Sequence, residues 1–191
     1  MKNHILFLLF TILSLLSVCS CNYGKRYNEI TKIEIATGSC FGPCQPTITS
    51  IDSSLKYYFF GDNIPFELKS NTVKGIKLVG HYSGKVSKEF WDTLNIKMES
   101  INYKNLDTSY NHSIDDQSLE VFIHYGDKIK HIRAQSGSLP DNVANVFYYV
   151  IYSYKTIKLK PIKDTIRFES EAQRPVHMLN VKKIKFPPNG K

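Results

Sequence analysis

The chain has 191 residues, 25 Lys plus Arg against 17 Asp plus Glu, and a formal net charge of +8. Its hydrophobic fraction is 42%, with 12 Tyr and 11 Phe, which is ample for a core and excludes general disorder. The length suits one domain of ordinary size behind a short leader.

The leader comes first. Met1-Lys2-Asn3-His4 is a short positive start, and Ile5 to Val18 is an apolar run of 14 broken only by Thr11, Ser14 and Ser17. A membrane-spanning helix needs about 20 apolar residues, so the run is short for one. Its charge and length fit a secretory signal. Val18-Cys19-Ser20-Cys21 then resembles a bacterial lipobox, in which an aliphatic residue and two small residues precede the cysteine that receives the lipid. Cys19 is the poorer acceptor, because Val18 sits where a small residue is wanted. The expectation is a signal peptide over 1–20, lipidation of Cys21 and a polar tether over 21–29. Plain secretion and a retained helix are the alternatives. One acyl chain holds a membrane marginally, and the modification that a lipobox implies supplies more than one.

Thr31 to Thr37 alternates, with Ile33 and Ile35 against Lys32 and Glu34, and reads as a strand. Gly38 to Pro46 is a turn cluster. Thr47–Ile51 and Leu55–Phe60 read as the second and third strands, and Val73–Val79 as a fourth. Ser87 is placed to cap a helix whose stripe is Phe90, Leu94, Met98 and Ile101, ending near Asn102. Leu119–Tyr125 and Lys128–Ala134 form a hairpin turning at Gly126-Asp127. That register sets Val121 against Ile132, Glu120 against Arg133 and Phe122 against His131. Ser138 is placed to cap a second helix, with Pro140 and Asp141 in its first turn and Val143, Phe147, Val150 and Tyr154 as its buried stripe. Thr165–Phe168 reads as a further strand, and Arg174–Lys191 as loose chain.

The order β-β-β-β-α-β-β-α predicts an α+β fold. It is an antiparallel sheet of about five to six strands, with two helices on one face. The domain is expected over 30–160, followed by a basic extension over 161–191. Asn22–Tyr154 holds 14 basic and 14 acidic residues, whereas Lys155–Lys191 holds 10 and 3, so nearly all the positive charge belongs to the C-terminal stretch. An exported chain meets little nucleic acid, so no nucleic-acid partner is expected. An anionic envelope surface is the natural counterpart, and a solvated tail the plain alternative.

Cys40-Phe41-Gly42-Pro43-Cys44 is the sharpest local motif. In an oxidising compartment a structural disulfide is the default for such a pair, and its turn can bring two Cα atoms within bonding range. A thioredoxin-type pair has two intervening residues at a strand-to-helix junction, and this loop joins two strands. Zinc would need a second ligand pair at a recognisable spacing.

At these residues the chain resembles a family of small bacterial envelope proteins, the domain of unknown function 6438. The resemblance rests on Ser39-Cys40-Phe41-Gly42-Pro43-Cys44 and on the aromatic third strand ending at Gly61. It continues through Gly80-x-Tyr82-x-Gly84-x-Val86-Ser87 to Phe90 and Leu94, and to Pro140. It spans roughly Ile33 to Ile151. The family pattern has proline after the second cysteine and tyrosine two residues on, where this chain has Gln45-Pro46-Thr47. The resemblance implies a compact envelope domain and carries no activity.

Other candidates are weaker. His124 and His131 flank the hairpin turn on its outer face, diagonal at a spacing too wide for one metal. Asp115-Asp116 lacks the spaced ligands of a calcium loop and reads as a cap or a solvated turn. His81 and Tyr82, after the fourth predicted strand, are the candidate binding residues. Tyr57-Tyr58-Phe59-Phe60 and Phe147-Tyr148-Tyr149 suggest glycan stacking only where rings reach the outer face. No catalytic, metal or cofactor motif is recognised. The expectation is a lipid-anchored protein of the cell envelope, on the periplasmic or outer-membrane side, with a non-catalytic binding or scaffold domain. A thiol–disulfide redox protein using Cys40 and Cys44, and a glycan binder, are the alternatives.

Overall fold

A computed structural model describes residues 29–38, 40, 44–62, 78–112 and 116–171. The leader with Cys21, the tether, most of Val73–Val79, Asp115 and the chain beyond Glu171 lie outside the described residues.

The chain runs β1 (Ile30–Thr37), β2 (Thr47–Asp52), β3 (Lys56–Gly61), β4 (Gly80–Lys85), α1 (Lys88–Ser100) and β5 (Ser109–Tyr110). It continues as β6 (Ser118–Tyr125), β7 (Lys128–Gln135), α2 (Asp141–Ile151) and β8 (Lys160–Pro161). The eight strands form one sheet in the order β5-β7-β6-β1-β2-β3-β4-β8. All pairings are antiparallel except β5 with β7. The fold is therefore α+β, as the element order predicts. The strand count exceeds the expected five to six because two-residue strands lie at both sheet edges. So short a strand has no period to read, and it covers edge groups that would otherwise stay unpaired.

Alternation sorts the side chains. Ile33 and Ile35 of β1, Tyr57 and Phe59 of β3, and Val121 and Ile123 of β6 point to the face covered by the helices. Val143, Phe147 and Val150 of α2 meet them there, as does Leu94 of α1. The hairpin register is the predicted one, with Val121 opposite Ile132 and Glu120 opposite Arg133.

Several elements differ from expectation. The fourth described strand is Gly80–Lys85, directly after the expected strand Val73–Val79, most of which lies outside the described residues. Gly84 is needed there, since a Cβ would meet the Lys158 carbonyl oxygen at 2.9 Å. Thr165–Phe168 forms no strand. In α1 the buried residues are Trp91, Leu94, Asn95 and Met98. Phe90 is half-buried and stacks on Tyr149 of α2, 5.1 Å between centroids. Asn95 hides this stripe in the sequence; its amide is buried because it donates to the Trp91 carbonyl at 2.8 Å. Ser87 caps α1 as predicted, accepting from the Phe90 N–H. Ser138 does not cap α2, which starts after Pro140; its hydroxyl accepts from the His112 N–H instead. The predicted boundary at 161 falls inside packed structure, since Phe168 and Ser170 are buried on the sheet.

Phe147 is fully buried between α2 and the sheet. Its truncation to alanine is expected to lower unfolding free energy by about 3–5 kcal/mol in urea titration. A loss below about 1 kcal/mol would mean that the helix is not seated as described.

Candidate functional site

The outer face, opposite the helices, carries a group of paired charged side chains. β1 contributes Lys32 and Glu34, β6 contributes Glu120, Phe122 and His124, and β7 contributes His131 and Arg133. Their registers place them side by side: Glu34 faces Phe122, Lys32 faces His124, and Glu120 faces Arg133. The segment after β8 crosses this face. Phe168 packs with Ala36 and Ile48 in a small apolar cluster, against which Tyr58, Phe60 and Ile166 lean.

Beyond Phe168 the contacts become ionic. Glu34 has no solvent exposure. Its Oε1 accepts the backbone N–H groups of Glu169 at 2.7 Å and Ser170 at 3.0 Å. Its Oε2 lies 3.0 Å from the Lys32 ammonium. Lys32 in turn donates to Glu169 at 2.6 Å, and the same Glu169 oxygen pairs with His124 Nε2 at 2.7 Å. Glu120 accepts from the Ser170 hydroxyl at 2.7 Å and pairs with His131 at 2.9 Å and Arg133 at 3.5 Å. The two histidines are thus partnered by carboxylates and lie on the outer face, as the register predicts.

Burial alone would raise the pKa of Glu120 and of Glu169. Their partners outweigh it, and both are held below the ordinary carboxylate range. For Glu120 these are Ser170, His131 and Arg133; for Glu169, Lys32 and His124. Burial would lower Lys32, yet its bonds to Glu169 and Glu34 leave it raised.

The structure does not bring His81 and Tyr82 together. They are neighbours in β4 and so point to opposite faces. His81 lies on the outer face beside Phe60 and Phe168, at 4.8 and 6.3 Å between centroids. Its Nδ1 is buried without a partner, and burial lowers its pKa. Tyr82 packs on Phe59 on the helix face, and its hydroxyl donates to the Val79 carbonyl.

Cys40 and Cys44 are joined as a disulfide, with 5.5 Å between their Cα atoms. The root of that loop is also fixed by Thr37, whose hydroxyl accepts the Thr47 N–H at 3.0 Å. Gln45 donates to the carbonyls of Asp62 and Leu78, both at 2.9 Å. It thereby ties together the two described ends of the 63–77 stretch. Gly61 permits that approach, since a Cβ there would sit 1.9 Å from the Leu78 oxygen. The aromatic runs are mostly used in packing: Tyr57, Phe59 and Phe147 are fully buried. Tyr152 is 48% exposed and stacks on Tyr148, with the Lys155 ammonium 4.2 Å from its centroid.

Sequence reading found the two histidines, Glu120 and Arg133, but not Glu34, Glu169 or Ser170. No local signal marks Glu34 as buried, because its partners are 135 and 136 residues away.

Residues 31–154 match the family model of a domain of unknown function, DUF6438. The chain belongs to that family. No curated protein matches it. Among the described residues, no helix is long and apolar enough to cross a membrane.

The signs of the pKa shifts fix the pH response. Glu120 and Glu169 are depressed, so their contribution is present above the ordinary carboxylate value of 4.5 and is lost as pH falls through their lower values. Lys32 is raised, so its contribution is present below 10.5 and is lost as pH rises past its folded value. Urea unfolding as a function of pH should show stability falling below about pH 4.5, with a shallower fall in Glu169→Gln. Identical acid limbs for the two proteins would contradict the assignment.

Proposed function

We propose that this DUF6438 member is a lipid-anchored cell-envelope protein whose domain binds or scaffolds another component and performs no catalysis. The observation that carries the reading is Val18-Cys19-Ser20-Cys21 directly after the apolar run Ile5–Val18. The mechanism is tethering. Lipid on Cys21 holds the chain at a membrane, residues 21–29 space the domain, and the basic residues of the C-terminal stretch meet an anionic surface. The side chains that look most chemical support the non-catalytic part. Glu34, Glu120, His124 and His131 hold the chain's own C-terminal segment, and Cys40 is bonded to Cys44. A second reading, glycan binding, rests on the partly exposed Tyr148–Tyr152 stack at the C-terminal end of α2.

Replacing Cys21 with serine should abolish acylation and move the protein from the membrane to the soluble fraction. A Cys21→Ser chain that stayed membrane-bound at full length would point to a retained helix instead.

The cysteine pair distinguishes scaffold from redox enzyme. A structural bond between the first two strands should be fully oxidised in purified protein and resist thiols of glutathione strength. A reversible couple between about −120 and −270 mV, with one thiol titrating below about pH 7, would replace the scaffold reading with thiol–disulfide exchange.

A further inference from the structure

The outer face and the helix face are held by different forces. The apolar cluster under the C-terminal segment is small and lies across the sheet from the main core. Phe168 is its one aromatic buried side chain, and the contacts of 169–170 include hydrogen bonds and ion pairs to Glu34, Lys32, Glu120 and His124. Those groups are all well solvated by water when uncovered. Lifting the segment therefore exposes little apolar surface and breaks no contact within the helix-covered core. Segments with few apolar contacts and charge-based bonds are the ones that open below the global unfolding free energy. β8, at Lys160–Pro161, remains paired to β4 and marks a hinge.

We propose that residues 163–171 are a releasable strap, which lifts from the outer face while the core stays folded, and which precedes the basic residues beyond Glu171. Those residues are Arg174, Lys182, Lys183, Lys185 and Lys191, with no acidic residue among them or after Glu171. Lifting frees the nine residues 163–171 from the sheet face, a stretch that spans up to about 30 Å when extended. The opening itself is independent of function. Its use in bringing positive charge to an anionic surface rests on the tethering reading above.

The test uses the full mature chain with Cys21→Ser, alone and with Phe168→Ala or Ser170→Ala on the strap. Tryptic cleavage after Arg167 reports opening, and fluorescence of Trp91, buried in the core, reports the fold. The expected result is cleavage after Arg167 at least about tenfold faster in Phe168→Ala, with Trp91 emission unchanged; tenfold corresponds to 1.4 kcal/mol of lost closure. Equal cleavage rates, or a Trp91 change that accompanies cleavage, would overturn the strap. Association with phosphatidylcholine vesicles, with and without phosphatidylglycerol, tests its use. Tighter binding of Phe168→Ala to the anionic vesicles alone supports that use. Faster cleavage without tighter binding would leave the strap standing and overturn its use at an anionic surface.

Discussion

Glu34 is a carboxylate with no solvent exposure in the middle of the central strand. Removing such a charge from water costs several kcal/mol unless its oxygens are paired and hydrogen-bonded. Two backbone N–H groups and the Lys32 ammonium supply those partners, and the N–H groups belong to residues 169 and 170. The rest of the outer face follows from that need. Glu169 lies where its N–H meets Glu34, so its side chain reaches Lys32 and His124. Ser170 follows, and its hydroxyl reaches Glu120, which then holds His131 and Arg133. β1 ends up covered on both sides, by helices on one face and by chain on the other.

The other end of β1 is constrained by polar contacts of another kind. Thr37 and Thr47 close the mouth of the loop, and the Cys40–Cys44 bond fixes it further out. Gln45 extends that fixed point to β3 and to the approach of β4. A proline at this position would have no side-chain donor for the two carbonyls. Gln45 thus joins the two described ends of the chain on either side of 63–77.

What was legible in the sequence had a period or a local cap. The hairpin register followed from alternation across Gly126-Asp127, and the Ser87 cap from a hydroxyl three residues before the N–H it accepts. The stripe of α2 was readable because its apolar residues recur at helical spacing. β4 was not, since His81 and Tyr82 stand among glycines and serine and gain their places from β3 and β8. Trp91 was missed because Asn95, a polar residue with an internal partner, interrupts the stripe. The candidate site was half legible: alternation put His124, His131 and Glu120 on one face, but what lies above that face depends on contacts far apart in sequence.

Three carboxylates, two histidines, a lysine and an arginine on one sheet face would suggest a reaction centre if only their proximity were considered. Their partners show what they hold in this structure. Each carboxylate is engaged by a cation, a hydroxyl or a backbone N–H of the same chain, and two of them gain a lowered pKa from those partners. Those lowered values keep Glu120 and Glu169 ionised as partners of the lysine, histidine, arginine and hydroxyl groups around them. The family match ends at residue 154, so Glu34 and Glu120 lie inside the matched domain with Lys32, His131 and Arg133, while the Glu169 and Ser170 groups that complete their hydrogen bonding lie after it. Domain and cover are consecutive stretches of one sequence, joined by charge. A buried carboxylate at position 34 is tolerable only where something supplies donors above the sheet, and here the chain does so itself.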